Sequence, residues 1–164
     1  MRIDEALGLR AHGGRGRLVR LRTLPEDDRN PASRERASQI LSRGLAVVHF
    51  MIERATGAVV GFYTLSNFTV VATKLPTKLG KGMPNSIPLS AYLIGHLGVD
   101  RRYQGHGFGE ALLFDALKRA DRLTRDSASR GVVVPALHER AAAWYQRVGF
   151  EPFPAHPLRL VMRM

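Results

Sequence analysis

Between Leu97 and Leu113 the chain reads Leu97-Gly98-Val99-Asp100-Arg101-Arg102-Tyr103-Gln104-Gly105-His106-Gly107-Phe108-Gly109-Glu110-Ala111-Leu112-Leu113. A nearly continuous apolar run from Ala91 to Val99 leads straight into this glycine-rich turn, and a helical apolar stripe begins directly after it. Strand, loop and helix in that order leave few folds open. Backbone N–H groups at a helix N-terminus lack intrahelical partners, and the helix dipole adds partial positive charge, so such a loop can cradle a pyrophosphate. Glycines at 105, 107 and 109 let the backbone come close to that ligand. A dinucleotide fingerprint fits poorly, because it wants a G-x-G-x-x-G order near the first strand. A Walker loop fits poorly as well, because it needs a Lys-Ser/Thr pair that is missing here. A glycine-rich turn that binds nothing is the plain alternative, and the flanking residues have to decide.

The rest of the chain reads as an α/β (α+β) protein. With 164 residues it has the size of one domain, 1–164. Residues 1–32, with glycines among arginines and then Pro25 and Pro31, read as an irregular lead-in. Ser33 to Arg43 places Ala37, Ile40 and Leu41 at helical spacing. Ala46 to Ile52 and Val59 to Leu65 form a hairpin about a Thr56-Gly57 turn, which Asn67 to Thr73 can extend. Lys74 to Pro88, with three prolines and three lysines, reads as a long basic loop holding neither helix nor central strand. Glu110 to Leu123 carries an apolar stripe through Leu113, Leu117 and Ala120, so that helix lays one face on a sheet. Gly131 to Ala136 is a short buried strand, and Glu139 to Arg147 is a helix that Gly149 stops. Phe150 to Met164, broken by prolines, closes the chain with one or two edge strands.

The flanks of the glycine loop resemble the GNAT family of acetyl-CoA-dependent N-acetyltransferases. That family's cofactor loop has the form Arg/Gln-x-x-Gly-x-Gly/Ala, matched here by Gln104, Gly107 and Gly109 after Leu97-Gly98-Val99. Ala141-Ala142-Ala143-Trp144-Tyr145-Gln146-Arg147-Val148-Gly149-Phe150-Glu151-Pro152 resembles the family's late helix, its tyrosine, and the Gly-Phe that leads to a final strand. The likeness covers roughly residues 46–164. Ala55-Thr56-Gly57, Val60 to Ser66, the Met83-Pro84 and Ile87-Pro88 loop, and Tyr145 to Phe150 are similar to the TacT-like and AtaT-like toxins of type II toxin–antitoxin systems. The resemblance implies a mixed, mostly antiparallel sheet flanked by helices, with strands splayed at the acetyl-CoA site. It implies acetylation of the α-amine of aminoacyl-tRNA, hence blocked translation, together with a small ribbon-helix-helix antitoxin and a homodimer; the arginine-rich first 20 residues, with no apolar h-region, lead to the expectation of a cytoplasmic location.

Residue by residue, the resemblance places the pantetheine arm against Leu97, Gly98 and Val99. It places the pyrophosphate on Gln104, Gly105, His106, Gly107, Phe108 and Gly109, and it makes Tyr145 the acid that meets the departing thiolate. A phenol of pKa near ~10 is protonated at neutral pH and suits that task. Read from residue type alone, Tyr145 could equally be a helix tyrosine packed beside Trp144. His96 is a candidate base or a structural strand histidine, and His106 could add a hydrogen bond or simply face solvent. The strand offers no carboxylate, which favours an α-amine of pKa about 7.7 to 8.0 over a lysine near 10.4.

His49, His138 and His156 lack partners at metal-ligand spacing and there is no cysteine, so no metal is expected. No apolar run approaches the roughly 18 to 20 residues that cross a bilayer. A net charge of +11 suits a polyanionic partner such as RNA, DNA, an acidic protein or a phosphorylated cofactor, and charged tRNA is the one that the resemblance implies. Candidate phosphate contacts are Lys74, Lys78, Lys81, Arg101 and Arg102, with Arg140, Arg147, Arg159 and Arg163 near the active-site end. An acetyltransferase for a small amine or a protein N-terminus, and a non-catalytic acyl-CoA-binding module, are the competing readings.

Overall fold

The computed structural model describes residues 19–23, 46–82 and 88–164. Seven strands form one sheet: β1 (Val19–Thr23), β2 (Val47–Glu53), β3 (Val59–Val71), β4 (Pro88–Val99), β5 (Gly131–Pro135), β6 (Glu151–Phe153) and β7 (His156–Arg163). Their order is β1-β2-β3-β4-β5-β7-β6, antiparallel throughout except for the β4–β5 pair. Among the described residues three α-helices accompany it: α1 (Thr77–Gly80), α2 (Phe108–Asp126) and α3 (Glu139–Arg147). This is the mixed, mostly antiparallel α+β architecture that the family resemblance implies.

Local chemistry explains each boundary. The Thr56-Gly57 turn forms as expected: Gly57 takes a positive φ of 71° and its N–H donates to the Glu53 carbonyl at 2.9 Å. On α2, Leu112, Leu113, Ala116, Leu117 and Ala120 recur at helical spacing and are all 2% exposed or less. They pack with Val60, Tyr63, Leu65, Ile94, Tyr145 and Phe150 into one core on the α2–α3 face of the sheet. The opposite face carries Val70, Ala91, Val133, Phe153 and Val161, covered in part by Leu75 and Leu79 beside and within α1. Gly149, at φ 106°, ends α3 as the sequence predicts, with its N–H on the Gln146 carbonyl at 3.0 Å.

Several boundaries differ from the sequence reading. Strand β1 lies inside the segment read as an irregular lead-in, because pairing with β2 from Val19↔Glu53 to Thr23↔His49 decides what a five-residue pattern cannot. The expected helix at 33–43 lies outside the described residues. The Lys74–Pro88 stretch holds the short helix α1, entered from Pro76, and Pro88 opens β4 opposite Val71. Proline is tolerated at both positions because neither needs its missing N–H. Strand β7 is not an edge, since it runs between β5 and β6; of these two C-terminal strands the three-residue β6 is the outermost.

A polar knot ties α2 to the sheet. Tyr63 Oη and Arg119 Nε both donate to Asp115 Oδ2, at 2.5 and 2.7 Å, and the His49 ring stacks on Tyr63 with centroids 4.8 Å apart. Burial first, and then the Arg119 charge, pull His49 from 6.5 down to about 4, so it is neutral in the folded protein near pH 7. Between those values the unfolded chain binds more protons than the folded one. The contribution is therefore full above about 6.5 and is lost as pH falls toward about 4. Urea melts at pH 7 and pH 4.5 should show wild type losing about 1 to 3 kcal/mol more than His49→Asn, discounted for the open groove that the ring borders. Equal losses in the two proteins would show that His49 carries no pH dependence.

Candidate active site

The glycine loop begins where β4 ends. Asp100 accepts the Arg102 N–H at 2.9 Å and its guanidinium through Nε at 3.1 Å and Nη2 at 3.0 Å, which starts a short 3₁₀ turn over Arg101–Tyr103. Those bonds hold the Asp100 carboxyl below its ordinary range. Tyr103 turns inward, 5% exposed, and its hydroxyl donates to Glu53 Oε2 at 3.2 Å. Glu53 also accepts from Thr56 Oγ1 at 2.6 Å, so the β2–β3 turn and the loop share one buried carboxylate. Gln104 folds back, its side-chain amide donating to the Val99 carbonyl at 3.0 Å.

Beyond this anchor the backbone opens. Gly105 and Gly107 sit at φ 77° and 79°, in the left-handed region, and a Cβ built on either would meet nothing within 4 Å. Glycine is required there by conformation, and the space beside it is free. Gly107 is the N-cap of α2, and its carbonyl accepts the Ala111 N–H at 3.1 Å. Among the described residues, none of the backbone N–H groups from Gly105 through Glu110 has a protein acceptor. A row of free N–H groups at the start of a helix is the donor set that a diphosphate needs. His106 braces the loop, with Nδ1 2.8 Å from the Gln104 carbonyl and its ring stacked on Phe108. Gly109 lies in the first turn of α2, where a Cβ would make only an ordinary 3.9 Å contact with Val99.

The sheet splays beside the loop. Strands β4 and β5 pair only at Tyr92↔Val132 and Leu93↔Val133. Beyond Leu93, β4 continues to Val99 without β5, so one edge of Leu97, Gly98 and Val99 faces a gap while the other pairs with Tyr63, Phe62 and Gly61. Gly61 permits that approach, because a Cβ there would lie 2.5 Å from the Gly98 carbonyl oxygen. The close-packing role of Gly61 and the part played by Glu53 are not evident from the sequence pattern; an acidic residue at the end of an apolar strand is the one available signal for the latter.

Tyr145 is 7% exposed on α3, with its ring edge-on to Trp144 at 4.8 Å and to Phe150 at 5.5 Å. Burial pushes its hydroxyl up to about 12. Among the described residues that hydroxyl has no hydrogen-bond partner, and no buried polar side-chain atom is left unsatisfied, so it opens to solvent.

The histidines part ways. His138 caps α3, its Nδ1 accepting the Ala141 N–H at 3.1 Å. The His96 and His156 side chains are exposed. Among the described residues no cluster could hold a metal ion. The cations separate too. Arg101 and Arg102 flank the loop, whereas Lys74 and Lys78 lie near the start of β4, and Arg163, which the sequence placed near the site, sits at the far end of β7. It pairs with Gly131 while Arg159 pairs with Pro135, because β7 runs antiparallel to β5. Arg140 and Arg147 are exposed on α3, and Arg147 borders a cleft of about 180 Å³ with Glu110 and Trp144. No helix among the described residues is long and apolar enough to cross a membrane.

Comparison with known proteins agrees with this geometry. A tRNA-acetylating toxin of Mycobacterium tuberculosis (strain ATCC 25618 / H37Rv) is 38% identical over 108 residues, which are 66% of this chain and 64% of the relative, a little under two thirds of its length. A probable toxin TacT of Sinorhizobium fredii (strain NBRC 101917 / NGR234) is 32% identical over 122 residues, 70% of this chain and 67% of the relative. Among solved structures, AtaT complexed with acetyl-methionyl-tRNAfMet superposes with a TM-score of 0.77 at 20% identity, covering 88% of this chain and 94% of that one. An AtaT mutant bound to acetyl-CoA and the C-terminus of the antitoxin AtaR gives 0.68 at 19% identity, covering 88% and 92%. At these identities the likeness to AtaT is one of fold. Residues 46–152 match the acetyltransferase (GNAT) domain, and the chain belongs to that family.

Proposed function

We propose that this chain transfers the acetyl group of acetyl-CoA to the α-amine of aminoacyl-tRNA and thereby blocks translation. The observation that carries the acetyl-CoA site is the row of unpartnered N–H groups from Gly105 to Glu110 beside the gap between β4 and β5. Those N–H groups and the α2 dipole hold the diphosphate, and the free edge of Leu97 to Val99 pairs with the pantetheine arm. Acetyl-CoA supplies an activated acyl group and a thiolate leaving group. Tyr145 Oη, protonated throughout the physiological range, gives a hydrogen bond to that thiolate, and the burial that raises the phenol raises the thiolate's proton affinity too. Strand β4 carries no carboxylate base. An α-amine needs none to become nucleophilic, because a usable fraction is neutral near pH 7, and the proton it sheds on forming the amide ends on the departing thiolate or in solvent.

The tRNA assignment rests on the similarity to a tRNA-acetylating toxin and on the net charge of +11. Arg101, Arg102, Arg140 and Arg159 are exposed at the cofactor end and are the phosphate contacts we favour over Lys74, Lys78 and Lys81. We also propose a small ribbon-helix-helix antitoxin as partner, a homodimer and a cytoplasmic location; the antitoxin is supported by the fold shared with AtaT, one structure of which is bound to the C-terminus of the antitoxin AtaR.

The deciding assay incubates the protein with labelled acetyl-CoA and pools of charged and deacylated tRNA. Label on charged tRNA alone supports the reading. No label despite demonstrated acetyl-CoA binding sends the search to small amines and protein N-termini. The rate at subsaturating tRNA should fall by about 0.7 to 0.9 log units per log unit of salt for each phosphate contact. A flat salt response would remove the basic face from the account.

A further inference from the structure

The β3–β4 ladder slips once. Leu65 pairs with Ile94 and Tyr63 with Leu97, so Thr64 alone faces both Gly95 and His96. A bulge of this kind leaves a backbone group outside the ladder, and a buried one must find another partner. Here the partner is a side chain: the His96 N–H donates to Thr64 Oγ1 at 3.0 Å. Thr64 is 2% exposed, so water has little access to compete for that hydroxyl. A Cβ on Gly95 would come within 3.1 Å of the same oxygen, closer than the arrangement readily accepts. The bulge also lies between Leu93, the last residue of β4 paired with β5, and Leu97, where the free edge assigned to the pantetheine arm begins.

We infer that Thr64 is a positioning residue for acetyl transfer. By holding the His96 N–H it fixes the peptide planes from Gly95 to Leu97, and so the direction in which this stretch of β4 presents its backbone to the thioester. Thr64 acts through the main chain and touches no reacting atom. The inference rests on the acetyl-transfer reading, not on the identity of the amine. A hydroxyl in place of a ladder bond is a geometric choice that packing alone would not require, since valine has nearly the same shape.

Three variants test it: Thr64→Val, Thr64→Ser and Gly95→Ala. Each is assayed for kcat and for the KM of acetyl-CoA with an acceptor that wild type labels, for amide hydrogen exchange at His96 by NMR, and for Tm. Thr64→Val should lose kcat by about 10- to 100-fold with KM changed less than about threefold, the pattern of a misplaced reacting geometry. Its His96 amide should exchange faster than in wild type. Thr64→Ser should stay within about threefold of wild type in both readouts. Gly95→Ala, whose Cβ would crowd the same hydroxyl at 3.1 Å, should shift kcat the same way and decides the matter if Thr64→Val does not fold. A Thr64→Val protein with freed His96 exchange and kcat within about twofold of wild type would overturn the inference, as would a serine variant as slow as the valine one. A wild-type chain that labels no amine, while Thr64 still protects His96 from exchange, removes the acetyl-transfer reading and this role with it, and leaves only the hydrogen bond.

Discussion

Replacing Tyr145 by phenylalanine should lower kcat for acetyl transfer by about 10² to 10⁴, the usual weight of a positioned proton donor. The ring's packing against Trp144 and Phe150 survives the change, and the lost hydroxyl has no partner among the described residues, so folding should be little affected. Tm is expected to stay within about 3 °C of wild type and the KM for acetyl-CoA within about threefold. Because burial holds the hydroxyl up at about 12, it stays protonated well above neutral pH. The wild-type rate should therefore climb about tenfold per pH unit below the amine's pKa of about 7.7 to 8.0 and then level off, with no fall from Tyr145 below about pH 11. A phenylalanine variant retaining more than about a fifth of wild-type kcat would remove Tyr145 from the mechanism.

Gly107→Val should weaken acetyl-CoA binding by about 30-fold or more, measured as Kd by calorimetry. A β-branched residue at φ 79° is strained by about 1 to 3 kcal/mol, and relief comes only by turning the N-cap of α2 and its N–H groups away from the ligand. Gly82→Val supplies the control. Gly82 has nearly the same φ, 77°, and equally open surroundings, yet it lies on the connection between β3 and β4, away from the cofactor loop. It should cost comparable stability with acetyl-CoA affinity unchanged. Equal losses of affinity in both variants would mean that the effect is one of general stability and that the loop does not bind the diphosphate.

What the sequence revealed and what it hid follow from how local each feature is. Gly105, Gly107 and the stripe from Leu112 to Ala120 are written within one strand–loop–helix segment, and the stop at Gly149 within a single turn. They were legible for that reason. Strand β1 was not, because five residues with three of them charged or polar become a strand only by pairing with β2. Glu53 looked like a strand-end charge, and its partner Tyr103 lies fifty residues further along the chain. The slip that sets Thr64 against Gly95 and His96 belongs to the register between two strands, and neither strand's pattern contains it. Likewise Arg163, expected with Arg159 near the active-site end, is carried away from it by the antiparallel run of β7.

The brief β4–β5 ladder matters for how the molecule holds together as well as for what it binds. Two residue pairs join the sheet formed by β1 through β4 to the one formed by β5, β7 and β6, so backbone hydrogen bonding passes very little cooperativity across that seam. The joint is made instead by side chains, with Leu113 and Leu117 of α2 and Tyr145 of α3 buried in one core with residues from both halves. A ligand lying along the free edge of β4 would act as a stitch through that seam. The protein should accordingly melt as a more cooperative unit when loaded, with the C-terminal half gaining the most protection.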